Sequence, residues 1–214
     1  MRTRAFTLIE VMLSLALVGL VLVGMNTFIF SMGELWGKGT DIRLFDQHVR
    51  AVTRYLQREM IRASLPPAAA VNSTPIGVQQ VTPQTGSQEN MVTFMQLAGG
   101  RMLRWPESPL PEVVCSLQVR RDQGIFMLWH SDLENHFNDE PPRETLISPF
   151  ATGLAYDYFD KDFNRWTTES AMRTDSGGNP VPPQRLRITF TYNGLKRESL
   201  ISLPGTPAGL PNPW

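Results

Sequence analysis

Residues 11–33 contain no charged side chain, a run of 23 residues. An α-helix needs about 20 apolar residues to cross a bilayer core. After Gly33 the pattern changes. Leu35, Leu44, Phe45, Val49, Val52, Leu56, Met60 and Ile61 recur at mostly three- and four-residue steps from Leu44 onward, the mark of an amphipathic helix. Pro66 and Pro67 stop it. Gly33, Gly37 and Gly39 predict a kink or a short non-helical break in the middle. Met60 and Ile61 are expected to face a sheet and form its core. Glu34, Asp41, Arg43, Arg50, Arg54, Arg58 and Arg62 fall mainly on the opposite face. The last four arginines stand at four-residue steps, which reads either as a solvated face or as a stripe that docks a partner.

Beyond the prolines the period drops to two. Residues 71–81 read as a loop with at most one weak strand, and Met91–Leu97 (MVTFMQL) as a strand behind a turn-rich QTGSQEN. Val113–Arg121 places Val113, Cys115, Leu117 and Val119 on one face. Gln123–Asp132 is apolar and aromatic, as in a buried strand, and Asp122-Gln-Gly124 links the two as a hairpin. Within Glu144–Asp160 (ETLISPFATGLAYDYFD) one further strand, ending at Asp160, is expected. Asn193-Gly194 between alternating runs predicts a hairpin of strands 185–192 and 195–203. The expectation is an α+β fold with six or seven strands, mostly antiparallel.

Composition narrows the class. Lys and Arg total 20, as do Asp and Glu, so the formal charge is zero, and no basic stretch is interleaved with aromatics; no nucleic-acid partner is expected. The single cysteine, Cys115, forbids an intrachain disulfide and is expected to be buried beside Val113, Val114 and Leu117. Prolines cluster at 66–67, 106–111, 141–142, 180–183 and 204–213, marking loops and a tail.

Candidate chemistry in the domain is weak. His130, Asp132, His136 and Asp139 in WHSDLENHFNDEPPRE contain metal-ligand types but match no closed zinc spacing, and a polar surface loop between strands is the preferred reading. Asp157, Asp160, Asp162 and Asn164 offer oxygens at near-alternating positions, yet lack the turn glycine and distal glutamate of a calcium loop. Ser148, Ser199 and Ser202 have no nucleophile-elbow context, and no Gly-rich phosphate cradle is present. No catalytic set and no cofactor is expected.

The N-terminus carries more. Arg2 and Arg4 precede the apolar run, an arrangement that keeps the head on the cytoplasmic side. A secretory signal would have an apolar region of about 7–15 residues and a small-x-small cleavage site before a polar mature start, unlike this run. Glu10 sits at its entrance with no Lys or Arg one turn downstream, and carboxylates at membrane depth are kept where they have a partner. From the sequence, that partner is expected to be another molecule or an amine created by processing.

AFTLIEVMLSLALV resembles the leader and first helix of type IV prepilins and type II secretion pseudopilins, with Phe6, Thr7, Leu8, Ile9, Glu10 and Val11 matching in order. The resemblance implies cleavage between Ala5 and Phe6 by a prepilin peptidase, followed by N-methylation of Phe6. Ala5 stands where the family has glycine, the smallest step away. In a filament Glu10 would pair with the Phe6 amine of the neighbouring subunit and so set the axial register. More loosely, Leu154, Tyr156, Tyr158, Trp166, Pro183, Leu186, Arg187 and Ile188 resemble the C-terminal block of the J-type minor pseudopilin, a block that W-like minor pilins share. I-type and H-type relatives are shorter and K-type ones longer. The implied organisation is leader 1–5, membrane and filament-core helix 6–33, amphipathic second half 34–65, periplasmic β-rich domain 66–204 and Pro-rich tail 205–214. The implied function is that of a minor pseudopilin at or near the tip of a type II secretion pseudopilus. Its partners would be I-type and K-type minor pseudopilins, the major pseudopilin, the peptidase and the inner membrane. A minor pilin of a type IV pilus is the alternative, and a membrane-anchored periplasmic enzyme or binding module is a third reading.

Overall fold

Apolar residues at three- and four-residue spacing, with no proline before residue 66, favour a long helix. The structure, a computed structural model, describes residues 7–64, 74–106, 108–135, 137 and 139–204, with the backbone alone for 34–38. Its one long helix, α1, runs Leu8–Ile61. Helical hydrogen bonding continues through Gly33, Gly37 and Gly39, so the expected non-helical break does not occur. Each glycine costs a helix about 1 kcal/mol, too little to open one flanked by favourable runs on both sides. The helix ends before Pro66 and Pro67, which lie outside the described residues, as do leader residues 1–5, Phe6 and tail residues 205–214.

Two compact units are distinguished, residues 1–47 and residues 48–214. In the first, Leu8–Gly33 is apolar on every side, with a mean hydropathy of 2.5 and no buried share. It is long and apolar enough to cross a membrane by length and composition.

The second unit is the α+β body. Nine strands follow: β1 (Ile76–Val81), β2 (Glu89–Ala98), β3 (Pro111–Arg120), β4 (Gly124–Ser131), β5 (Arg143–Ser148), β6 (Ala151–Asp160), β7 (Arg165–Glu169), β8 (Arg185–Tyr192) and β9 (Leu195–Ser202). They form two antiparallel sheets, β1-β2-β3-β4-β5 and β7-β6-β8-β9. The expected strand ending at Asp160 is thus two strands in different sheets. Pro149, which cannot donate to a ladder, lies between them.

The last turns of α1 cover both sheets. Val49, Val52, Leu56 and Met60 are buried, whereas Leu44 and Ile61, expected on the apolar stripe, are exposed. The buried stripe meets a face built from Val92, Phe94 and Gln96 of β2, Val113, Cys115 and Leu117 of β3, and Ile125 and Met127 of β4, which share a side by register. Cys115 is buried there as expected, and burial pushes its thiol well above the usual range. Polar pins fix the helix. His48 Nε2 and Ser148 Oγ lie 2.8 Å apart, Thr53 Oγ1 and Ser199 Oγ 2.6 Å, and Gln96 Nε2 donates to the buried Glu59 carboxylate at 2.6 Å.

Strand β5 is tied down by two arginine–carboxylate pairs. Arg120 donates to Glu144 at 2.7 Å, and Arg143 donates to Glu134 at 2.7 and 2.9 Å while lying over the Trp105 and Trp129 rings. These bonds hold the Glu144 and Glu134 carboxyls below the usual range, each first through its arginine.

Both hairpins read from the sequence form. Asp122 (φ 60°) and Gly124 (φ 107°) close β3–β4, and Asn193 (φ 47°) and Gly194 (φ 78°) make the β8–β9 turn.

Two stability predictions follow from these contacts, both for the full chain in detergent. A Cβ at Gly124 would clash with the Ser148 carbonyl oxygen, whereas one at Gly194 meets nothing within 4 Å. Gly124→Ala should therefore cost at least about 2 kcal/mol and Gly194→Ala about 1 kcal/mol, read by chemical denaturation; equal costs would contradict the close approach. Because Glu134 and Glu144 are held below their unfolded values, their contribution is present above the unfolded carboxyl pKa of about 4.3 and is lost as pH falls below it. Glu144→Gln should flatten that acid limb, and an unchanged limb would show that the Arg120 pair contributes nothing.

Candidate assembly segment

Glu10 stands in the first turn of α1, where the leading N–H groups lack partners inside the helix. Its Oε2 accepts the backbone N–H of Thr7 at 2.9 Å and the Thr7 hydroxyl at 2.9 Å. Glu10 N–H and Val11 N–H in turn donate to the Thr7 carbonyl at 3.1 and 3.3 Å. Thr7 and Glu10 thus form the carboxylate half of a capping box, three residues apart at the head of an apolar run. The carboxylate also lies at the positive end of the helix dipole.

Glu10 thus has hydrogen-bond donors on its own helix, in addition to the charged partner (another molecule or an amine created by processing) expected from the sequence. Thr7-x-x-Glu10 is a capping signature readable in the sequence, and it supplies neutral donors where no cation lies one turn downstream. Ala5 and Phe6 lie outside the described residues.

Residues 1–26 match the prokaryotic N-terminal methylation motif. That match supports the type IV prepilin-like superfamily and, with it, a structural role. It covers residues 1–7 and the first 19 of the 26 residues of the apolar stretch Leu8–Gly33, and does not reach the sheets or the C-terminal block. No curated protein and no solved structure matches the chain.

The C-terminal block organises the four-stranded sheet. Leu186 and Ile188 are fully buried. The buried Tyr158 donates its hydroxyl hydrogen to the Val181 carbonyl at 3.0 Å and accepts from the Arg173 N–H at 3.1 Å, holding the 170–184 loop against β6. Asp157 is fully buried, accepting from Thr168 at 2.7 Å and Arg187 at 3.0 Å.

The weak metal candidates do not converge. Asp157 is engaged as above, Asp160 shapes the β6–β7 turn by accepting the N–H groups of Asp162 and Phe163, and Asp162 is exposed. His130 stacks on Phe137 with centroids 3.9 Å apart, and burial is the main influence pushing its imidazole pKa down. Asp132 is exposed, Glu134 is bound to Arg143, and His136 lies outside the described residues. Among the described residues no group of three metal-ligating side chains comes together.

In the detergent-solubilised chain, Glu10→Gln should speed hydrogen exchange at the Thr7 amide, because a neutral amide oxygen accepts more weakly than a carboxylate. Unchanged exchange, followed by NMR, would show that Glu10 does not cap the helix.

Proposed function

We propose that this chain is a minor pseudopilin of a type II secretion system, a structural subunit at or near the pseudopilus tip that helps nucleate assembly. The methylation-motif match over residues 1–26 supports this reading; on the resemblance of residues 5–11 to prepilins, cleavage falls between Ala5 and Phe6 and methylation on Phe6. The apolar helix Leu8–Gly33 and the separate β-rich body are in keeping with it. The narrower assignment to the J-type rests on the resemblance of Leu154, Tyr156, Tyr158, Trp166, Pro183 and Leu186–Ile188.

On this reading the chain is anchored in the inner membrane with its β body in the periplasm, and is extracted into the pseudopilus. Cleavage frees a positive amine on Phe6. In the free subunit the Thr7 bonds supply Glu10 with donors. In the filament the carboxylate exchanges some of this hydrogen bonding for the Phe6 amine of its neighbour, a charged partner whose attraction is strong where water is excluded. An axial stagger that misses the amine leaves a charge in an apolar setting, which is penalised. The I-type and K-type minor pseudopilins and the major pseudopilin are the partners on this reading.

Glu10→Val should insert into the membrane normally yet fail to co-purify with its partner subunits, and export through the system should fall to that of the deletion strain. Ala5→Leu should remain at precursor length on a gel. Normal export by Glu10→Val would remove the register role. A deletion phenotype confined to surface pili, with export intact, would move the chain to a type IV pilus.

A further inference from the structure

Arg50, Arg54 and Arg58 are exposed on the part of α1 that belongs to the β-rich unit, at four-residue steps of about 6 Å. Among the described residues no carboxylate pairs with any of the three; Arg62, just past the helix, lies 4.0 Å from Glu59. Like charges one turn apart repel along a helix. The helix dipole favours cations in its last turn, which accounts for Arg58 and not for Arg50 and Arg54 farther back.

The side chains are also oriented. Arg54 Nε donates to the Arg50 carbonyl and Arg58 Nε to the Arg54 carbonyl, each at 3.3 Å. Each bond lays the side chain back along the helix and leaves the terminal guanidinium nitrogens for an external acceptor. An open groove beside the stripe is lined by Ala51, Arg54, Gln57 and Arg58. A second places Arg50 and Arg54 beside Val49, Thr53 and Leu200, giving the charges an apolar margin. Glu198 rims that second groove, but its carboxylate is engaged by Lys196 at 3.0 Å and Arg187 at 3.2 Å.

We propose that this arginine face docks a helix of another protein that carries Asp or Glu at four-residue steps. The pitch of one helix matches that of the other, and planar guanidinium groups suit carboxylates in two-pronged contact. A protein fits better than a nucleic acid. The chain has no net charge, and Tyr55, the aromatic residue of this stretch, has its hydroxyl oxygen buried. The proposal concerns residues 49–58 and stands apart from the methylation-motif reading.

The test uses the full chain in neutral detergent and fluorescence anisotropy. The probe is a labelled alanine-rich peptide of about 20 residues, long enough to be helical, with glutamate at every fourth position. A peptide of the same composition with scrambled glutamates and a single-stranded DNA oligonucleotide are the comparisons. The spaced peptide should bind about tenfold tighter than the scrambled one, the sum of three exposed charged contacts, and should weaken with added salt. Combined Arg50→Gln, Arg54→Gln and Arg58→Gln should abolish the difference, and the corresponding lysine variant should retain part of it. If the triple glutamine variant melts early, Arg54→Gln alone carries the comparison, with a partial loss expected. Equal binding of the two peptides, indifference to the glutamine changes, or tighter binding of the oligonucleotide would each overturn the proposal.

Discussion

A carboxylate at the head of a long apolar helix must have a donor, and the reading of this protein turns on how Glu10 obtains one. Within the subunit it caps its own helix through Thr7. That arrangement satisfies hydrogen bonding but brings no opposing charge. A carboxylate bonded to neutral donors is still drawn to a cation when one arrives in a water-poor setting. On the proposed function the freed amine of a processed Phe6 would be such a cation, and residues 1–26 match the prokaryotic N-terminal methylation motif.

The same helix serves a second surface by changing its pattern. Over Leu8–Gly33 it is apolar all round. From Val49 to Met60 it is apolar on one stripe, and that stripe is spent on the sheets. Packing there is reinforced by polar contacts to Ser148, Ser199 and Gln96, which fix where the helix lies on the sheets. The arginine face is what remains outside this packing.

Legibility in the sequence followed how local each signal was. Strand β8 and the start of β9 match the reading to the residue, because Asn193-Gly194 can turn a chain with no help from elsewhere. Cys115 was legible as buried from its alternating neighbours. The division into two sheets was not, because β5 and β6 are separated only by Pro149 and Phe150, too short a break to read as a change of sheet, and β7 is five residues long. Ile61 was misread because the helix ends there and its side chain escapes the stripe. Pairings such as Asp157 with Arg187 join residues 30 apart, and only the fold brings them together.

The most direct measurement is the N-terminal mass of the protein purified from its native membrane. The account predicts a chain beginning at N-methylated Phe6, with Ala5 and everything before it removed. A chain retaining Met1 would contradict processing and leave Glu10 with its Thr7 bonds alone. A chain beginning beyond Gly24 would identify an ordinary cleaved signal, and the assembly role would fall with it.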